Sequence, residues 1–161
     1  MFAKIYLKKN EEIRILSGHL WVFSNEVSGI EGDAENGDLV EIYDNKSKLI
    51  GTGFYNKNSL ISVRLLSRTG TLDLSSLIKE RILNSYDLRK TLYPARESYR
   101  LIFSESDFLP GLIIDKYNNT FVLQIYSFGM QRNVEIIVET LKKEFNAENI
   151  FSKNFRPFDS M

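Results

Sequence analysis

The stretch LIGTGFYNKNSLISVRLL, residues 49–66, decides the fold class of the first half of the chain. Two apolar runs, Leu49–Tyr55 and Leu60–Leu66, flank the turn-forming residues NKNS, and this arrangement is typical of paired strands. Alternate residues of the second run would share one face of its strand, namely Ile61, Val63 and Leu65. The stretch therefore predicts two strands joined by a turn.

The glycines of this stretch resemble a phosphate-binding loop. Such a loop needs a helix directly after Gly51-Thr52-Gly53, whereas a strand and a turn follow here, so a nucleotide loop is not expected. The glycines are instead predicted to allow a bend or the close approach of another backbone in a small barrel. Lys57 and Asn58 lie in the adjacent turn, where a side chain could reach a phosphate or simply be solvated.

The sequence around this stretch extends the β pattern. Phe2–Leu7 and Leu39–Tyr43 are predicted strands, and GIEGDAENGD and DNKSK are predicted turn-rich connections. One short helical turn around Asn10–Leu16 is the only helix expected in this half. The pattern predicts a small, mostly β barrel.

The hydrophobic period becomes helical from Leu72 onward. After the candidate cap Asp73, apolar residues recur at helical spacing: Leu74, Leu77, Ile78, Ile82 and Tyr86. Three predicted strands follow at Tyr99–Phe103, Leu112–Lys116 and Thr120–Tyr126, the last two joined by the turn residues Tyr117-Asn118-Asn119.

An amphipathic stripe and a last strand complete the second half. The stripe consists of Val134, Ile137, Val138, Leu141 and Phe145, and the strand covers Glu148–Lys153. We therefore divide the chain into two predicted domains. Residues 1–70 are predicted to form a small, mostly β barrel, and residues 71–161 a small α/β domain of helix, three-stranded sheet, helix and strand, so the predicted fold class is α+β.

Composition excludes several classes of function. The 161 residues contain no cysteine, which excludes disulfides, thiolate metal sites and a cysteine nucleophile. The first residues lack the apolar core of a signal peptide and no segment is long enough to span a membrane, so a soluble, cytoplasmic protein is expected. Lysine and arginine together number 21, equal to aspartate and glutamate. Any RNA binding must therefore depend on local clustering and shape.

The stretch SGHLWVFSNEV, residues 17–27, holds the only histidine and the only tryptophan. Gly18 permits a backbone conformation closed to other residues, and alternation places Trp21 and Phe23 on one side of a strand. His19 could contact a phosphate or a base at the rim of the barrel. Alternatively, Trp21 and Phe23 belong to the core and His19 is an ordinary loop residue.

The stretch SESDFLPGLIIDKY, residues 104–117, also has two interpretations. Glu105 and Asp107 could act as a general acid and base. The commoner interpretation is a type II turn in which Pro110 fixes φ and Gly111 supplies a positive φ. Asp115 lies inside an otherwise apolar strand and needs a partner, for which Arg100 is the candidate.

Three segments together carry a resemblance to a known family. RILSGHLWVFSNEV, GTGFYNKNSLISVR and SESDFLPGLIIDKYNNTFVLQ, in this order, resemble the N-terminal half of the bacterial 23S ribosomal RNA methyltransferases that form 5-methylcytosine. In that family a PUA domain, a small RNA-binding pseudobarrel, precedes a central α/β domain and a Rossmann-like domain that binds S-adenosylmethionine. The resemblance covers nearly the whole chain.

The resemblance implies RNA recognition by residues 1–70. Arg14, His19, Lys57 and Arg64 are the candidate RNA-binding residues, because they can donate to phosphate and lie in or beside the matching segments. No catalytic, cofactor-binding or metal-ligating residue is expected in this chain. The family's reaction uses a cysteine that attacks the cytosine ring, and the glycine-rich cofactor turn of its catalytic domain is also missing.

The resemblance further implies the partners of the chain. Structured ribosomal RNA and a catalytic methyltransferase domain in the full-length protein are the expected partners, with S-adenosylmethionine as that protein's cofactor and no membrane. The chain alone is expected to be inactive and to be one portion of a longer enzyme. The alternatives are a protein-interaction or dimerisation module, with a possible homodimer, and a hydrolase that uses Glu105 and Asp107.

Overall fold

A computed structural model describes residues 2–70 and 73–153 of the chain. The chain consists of two units, with the boundary between Asp73 and Leu74. The change of hydrophobic period at Leu72 and the last eight residues, 154–161, lie outside the described part.

In the part that the structure describes, the first unit is a mixed sheet of six strands with one short α-helix and a 3-10 helix at Ser24–Glu26. In chain order its elements are β1 (Ala3–Leu7), α1 (Glu12–Leu16), β2 (Trp21–Phe23), β3 (Val27–Glu31), β4 (Leu39–Tyr43), β5 (Leu49–Tyr55) and β6 (Ile61–Ser67). The strands lie in the order β2-β6-β5-β4-β1-β3, with β1 parallel to β4 and the other pairs antiparallel. The strands predicted at β1, β4, β5 and β6 are confirmed, whereas β3 was wrongly assigned in part to a turn.

The sheet curls around a core supplied by alternate residues of its strands. Fully or almost fully buried members of this core include Ile5, Leu7, Ile15, Val22, Val40, Ile42, Val63 and Leu65. Of the three residues predicted to share one face of β6, Val63 and Leu65 are buried and Ile61 is half-buried. The five-residue helix α1 contributes a single buried side chain, Ile15, to this core.

The glycines of β5 lie against the backbone of β6. A Cβ atom on Gly53 would collide with the carbonyl oxygen of Arg64 and lie 2.9 Å from the Cα of Leu65. A Cβ atom on Gly51 would collide with the carbonyl oxygen of Ser67. The close backbone approach predicted from the sequence is therefore confirmed, and β6, not a helix, follows this segment, so it is not a phosphate loop.

The second unit is a four-stranded sheet with three helices in the part that the structure describes. Its elements are α2 (Leu74–Leu92), β7 (Ser98–Phe103), β8 (Leu112–Tyr117), β9 (Thr120–Ile125), α3 (Phe128–Arg132), α4 (Val134–Phe145) and β10 (Asn149–Ser152). The strand order is β10-β9-β8-β7, in which β10 is parallel to β9 and the other neighbours are antiparallel. The predicted elements are confirmed, with α3 as an additional helix that the sequence pattern did not indicate.

The two longer helices pack on one another and on the sheet. Phe145 of α4 contacts Tyr86 of α2 edge to face, with 4.9 Å between ring centroids, and lies 6.0 Å from the ring of Phe121 in β9. A salt bridge of 2.6 Å from Lys79 to Glu144 links the same helices. Within the described ranges, no helix is long and apolar enough to cross a membrane.

Candidate functional site

The chain enters β2 through a turn that depends on glycine. Helix α1 ends at Leu16, and Gly18 adopts a φ of 114°, which side-chain-bearing residues rarely reach. The amide of His19 then donates to the carbonyl oxygen of Arg14 at 3.1 Å, which leaves the imidazole side chain exposed. The turn thus places His19 on the surface beside the start of β2, which agrees with both interpretations of this residue.

Arg14 holds the end of β2 in place. Its guanidinium forms an ion pair with the carboxylate of Glu26, whose side chain is only 5% exposed, and lies 5.0 Å from the ring centroid of Phe23. The second carboxylate oxygen of Glu26 accepts a hydrogen bond from the amide of Phe23 at 2.7 Å. Because removal of Arg14 would leave Glu26 buried without its cation, Arg14 has a structural role. Its side chain is still 37% exposed.

Trp21 and Phe23 lie outside the core. Val22, between them, is completely buried, whereas both aromatic residues are half-buried on the opposite face of β2. Their rings meet edge to face at 6.2 Å, and Arg64 lies directly across from Trp21 in the pairing of β2 with β6. The interpretation of the two aromatics as core residues is therefore wrong, because β2 turns its single aliphatic residue inward.

Together these residues form a cationic and aromatic surface, which we name the β2 patch. It consists of Arg14, Trp21, Phe23 and Arg64, with His19 at its margin. Lys57 belongs to a separate turn: its amide donates to the side-chain oxygen of Asn36 at 2.8 Å, and its side chain is exposed. The structure thus places Arg14 beside Phe23 and Arg64 across from Trp21, whereas Lys57 lies in the turn between β5 and β6.

The Glu105 and Asp107 pair does not form an acid and base site. Both oxygens of Asp107 bind the guanidinium of Arg89, at 2.7 and 2.6 Å, and one also accepts the amide of Phe103 at 2.6 Å. The residue is 7% exposed, so its carboxylate is already committed to contacts inside the unit. The hydrolase interpretation therefore loses its general acid or base.

The turn predicted at Pro110 is present. The amide of Leu112 donates to the carbonyl oxygen of Leu109 at 3.0 Å, and Gly111 has a φ of 83°. The predicted partner of Asp115 is also confirmed, since Arg100 reaches both carboxylate oxygens at 2.8 and 3.1 Å. The hydrogen bond to Asp115 raises the pKa of the Arg100 guanidinium.

Sequence reasoning missed an open cleft of about 350 Å³ in the second unit. It lies between the end of α2, the loop that follows and β7, and we name it the α2–β7 cleft. Its lining consists of Arg89, Tyr93, Arg96, Ser98, Tyr99, Arg100 and Phe103. The interleaving of arginine and aromatic residues between 89 and 103 is the signal that could have indicated it.

Tyr99 is the least accessible aromatic residue of the cleft. Its hydroxyl is buried and has no hydrogen-bond partner in the part of the chain that the structure describes. This desolvation is the main reason that the pKa of Tyr99 is raised to about 12. The hydroxyl is therefore protonated throughout the physiological pH range and adds no negative charge to the cleft.

Comparison with known families assigns the first unit. A family model described as a PUA-like domain matches residues 5–68, the segment from β1 to the end of β6. Residues 5–68 form a PUA-like domain. The predicted pseudobarrel of the first half is therefore confirmed in its family and its curled sheet.

Curated relatives extend the likeness beyond the PUA-like domain. Ribosomal RNA large subunit methyltransferase I of Klebsiella pneumoniae (strain 342) is 34% identical over 148 residues, which are 90% of this chain and 37% of the relative. The protein of that name from Photobacterium profundum is 37% identical over 147 residues, 88% of this chain and 36% of the relative. The chain resembles the N-terminal part of these methyltransferases. It spans less than half of their length.

Solved structures share the same fold. A protein of Streptococcus mutans described as a SAM-dependent methyltransferase superposes with a TM-score of 0.79 at 16% identity, over 100% of this chain and 44% of that one. A second protein, whose structure is described as that of a methyltransferase complexed with SAH, gives a TM-score of 0.80 at 17% identity, over 99% of this chain and 44% of that one. At this identity the likeness shows the α+β fold, in which the PUA-like domain is followed by the second unit.

Proposed function

We propose that this chain is the RNA-recognition portion of an S-adenosylmethionine-dependent ribosomal RNA (cytosine-C5) methyltransferase. The PUA-like domain binds structured ribosomal RNA and positions it for a catalytic domain of the kind found in the longer relatives. S-adenosylmethionine binds to that catalytic domain. The 161 residues contain no cysteine to attack a cytosine ring, so they contribute recognition and not the chemical step.

The β2 patch is the observation that carries the proposal. Trp21 and Phe23 present half-buried rings on the outer face of the sheet, flanked by the guanidinium of Arg14. Aromatic rings stack on unpaired bases, and a guanidinium group can donate two hydrogen bonds to one phosphate. The patch can therefore both stack on a base and bind a phosphate of folded RNA, although the chain as a whole carries no net charge.

The four candidate residues differ in what they contribute to this proposal. Arg64 and the exposed part of Arg14 contact phosphates at the patch, and His19 contacts a phosphate or a base at its margin. Lys57 contacts the RNA backbone from the neighbouring turn. This division follows from exposure and from the ion pair of Arg14, which already uses part of its guanidinium.

The competing proposal is a protein-interaction module, which would be supported by an exposed apolar stripe along α4. The apolar residues of that helix are instead buried or half-buried, with Ile137 and Leu141 completely inaccessible. Among the described residues of α4, none with a large apolar side chain is exposed. The helix thus uses its stripe for its own unit, and RNA recognition remains the better-supported function. The homodimer stays a prediction.

Charge reversal at Lys57 is expected to weaken RNA binding selectively. Lys57→Glu removes one phosphate contact and adds repulsion, so the Kd for a ribosomal RNA hairpin at about 0.1 M salt should rise about fivefold or more. Fluorescence anisotropy with a labelled hairpin measures this change. Lys57 suits the test because its side chain is exposed. Replacement of Arg14 would also leave the buried carboxylate of Glu26 without its cation.

Lys142→Glu is the matched control, since Lys142 is an exposed lysine of α4 and the change in net charge is identical. We expect its Kd to stay within about twofold of the unaltered chain. Equal weakening by both substitutions would mean that overall charge, and not the PUA-like domain, governs the affinity. That result would contradict the proposed function.

A further inference from the structure

The α2–β7 cleft has the chemistry of a nucleotide site. Three of its seven lining residues are arginines and three are aromatic, and no carboxylate from the described part of the chain lines it. Its volume of about 350 Å³ lies at the lower end of the range of small-ligand pockets, which is about 300 to 1,000 Å³. A single nucleotide is a ligand of suitable size.

Two of the three arginines are already neutralised. Arg89 is paired with Asp107 and Arg100 with Asp115, in both cases through two hydrogen bonds. These contacts fix the two side chains and form the wall of the cleft. The ligand must therefore find its main counter-charge elsewhere.

Arg96 supplies that charge. Its guanidinium lies 5.0 Å from the ring centroid of Tyr93, and within residues 2–70 and 73–153 no carboxylate lies within ion-pair distance of it. Arg96 is exposed, as are its neighbours in the loop. The loop after α2 thus presents a cation whose charge is available to an anion.

The aromatic rings offer flat faces beside this cation. Tyr93 is 41% exposed and Phe103 is 50% exposed, so a ligand can reach both rings. Arg100 and Phe103 both lie on the edge strand β7, and the Arg100 guanidinium is 5.3 Å from the ring centroid of Phe103. An exposed ring next to a cation is the arrangement on which bases of single-stranded RNA stack.

We propose that the α2–β7 cleft binds an unpaired nucleotide of RNA. Its base stacks on Tyr93 or Phe103, and its phosphate pairs with Arg96. This inference rests on the proposed function, because it adds a second contact to the same RNA. A nucleotide is favoured over an acidic peptide because it uses both the flat rings and the cation, whereas a peptide carboxylate would use the arginines alone.

Tyr93→Ala and Arg96→Ala in the full chain test the site. The probe is a labelled single-stranded oligoribonucleotide of about eight nucleotides, a length within the site sizes of single-strand binders. Loss of the ring should raise the Kd about tenfold. Loss of the guanidinium should raise the Kd and also lower the slope of log K against log salt by about 0.7.

Phe151→Ala and Lys142→Ala are the matched controls. Phe151 is an exposed aromatic residue on β10, at the opposite edge of the sheet from β7, and Lys142 is an exposed cation on α4. Both controls should bind the oligonucleotide within about twofold of the unaltered chain. If the cleft variants also stay within that range, or if the controls lose as much affinity, the proposed site is wrong.

A competition with adenosine monophosphate distinguishes RNA from a free nucleotide. An RNA site should bind the oligonucleotide much more tightly than the mononucleotide, and equal affinity would overturn the assignment to RNA. The hairpin experiment with Lys57→Glu is independent of the oligonucleotide experiments. If Lys57→Glu does not weaken hairpin binding, recognition by the PUA-like domain is refuted. If Tyr93→Ala and Arg96→Ala do not weaken oligonucleotide binding, only the proposed cleft site is refuted.

Discussion

Replacement of Gly53 by alanine is expected to destabilise the PUA-like domain by about 3 kcal/mol or more. The added Cβ would collide with the carbonyl oxygen of Arg64 and approach the Cα of Leu65 to 2.9 Å. These are backbone atoms of β6, which cannot rotate away as a side chain would. Strands β5 and β6 would have to move apart. This movement would also disturb the pairing of β6 with β2.

Tryptophan fluorescence during urea unfolding measures this effect. Trp21 is the only tryptophan of the chain and lies in β2, paired with β6, so its emission reports on the affected sheet. Gly29→Ala is the matched control, because a Cβ at Gly29 would meet nothing within 4 Å and no positive φ is required there. It should change the free energy of unfolding by less than about 1 kcal/mol. Equal unfolding midpoints of the two variants would contradict the close strand approach.

Removal of the Asp107 carboxylate is expected to destabilise the second unit by about 3 kcal/mol or more. Asp107→Ala would leave the guanidinium of Arg89, which is 14% exposed, without its counter-ion and the amide of Phe103 without its acceptor. A buried charge without a partner destabilises the folded state by more than the intact ion pair stabilises it. The loss should therefore exceed that of any exposed ion pair in the chain.

Asp115→Ala provides the comparison for that prediction. Its partner Arg100 is 43% exposed and can be solvated by water, so about 1 kcal/mol is expected. Trp21 does not lie in this unit, so amide hydrogen exchange of β7 and β8 is the appropriate measurement. Similar losses of protection in the two variants would mean that Asp107 is far less important to the unit than its contacts indicate.

The regular elements could be predicted because their hydrophobic periods are strong and local. Strands β4 and β5 and helix α4 follow from alternation or from a helical stripe in a single segment. Strand β3, with the sequence VSGIE, contains a glycine and has only half-buried or exposed residues, so it carries no such period. Helix α3 has five residues and contains Gly129, which makes it too short for a helical pattern to appear.

Contacts between distant segments were harder to predict. Arg100 and Asp115 could be paired because both lie on strands that the sequence indicated. The pair of Arg89 with Asp107 was not predicted, because Arg89 lies beyond Tyr86, the last apolar residue of the helical spacing, and Asp107 lies in a turn. The α2–β7 cleft was missed for the same reason, since it exists only when the end of α2 lies beside β7.

The most direct test of RNA recognition by the PUA-like domain is a map of where RNA contacts the chain. Amide chemical shifts of the isotope-labelled protein, followed while a ribosomal RNA hairpin is added, provide this map residue by residue. We expect the largest changes within Arg14–Phe23 and Lys57–Arg64. Shift changes confined to α4 and β10, with the amide chemical shifts of the PUA-like domain unchanged, would contradict RNA recognition by that domain.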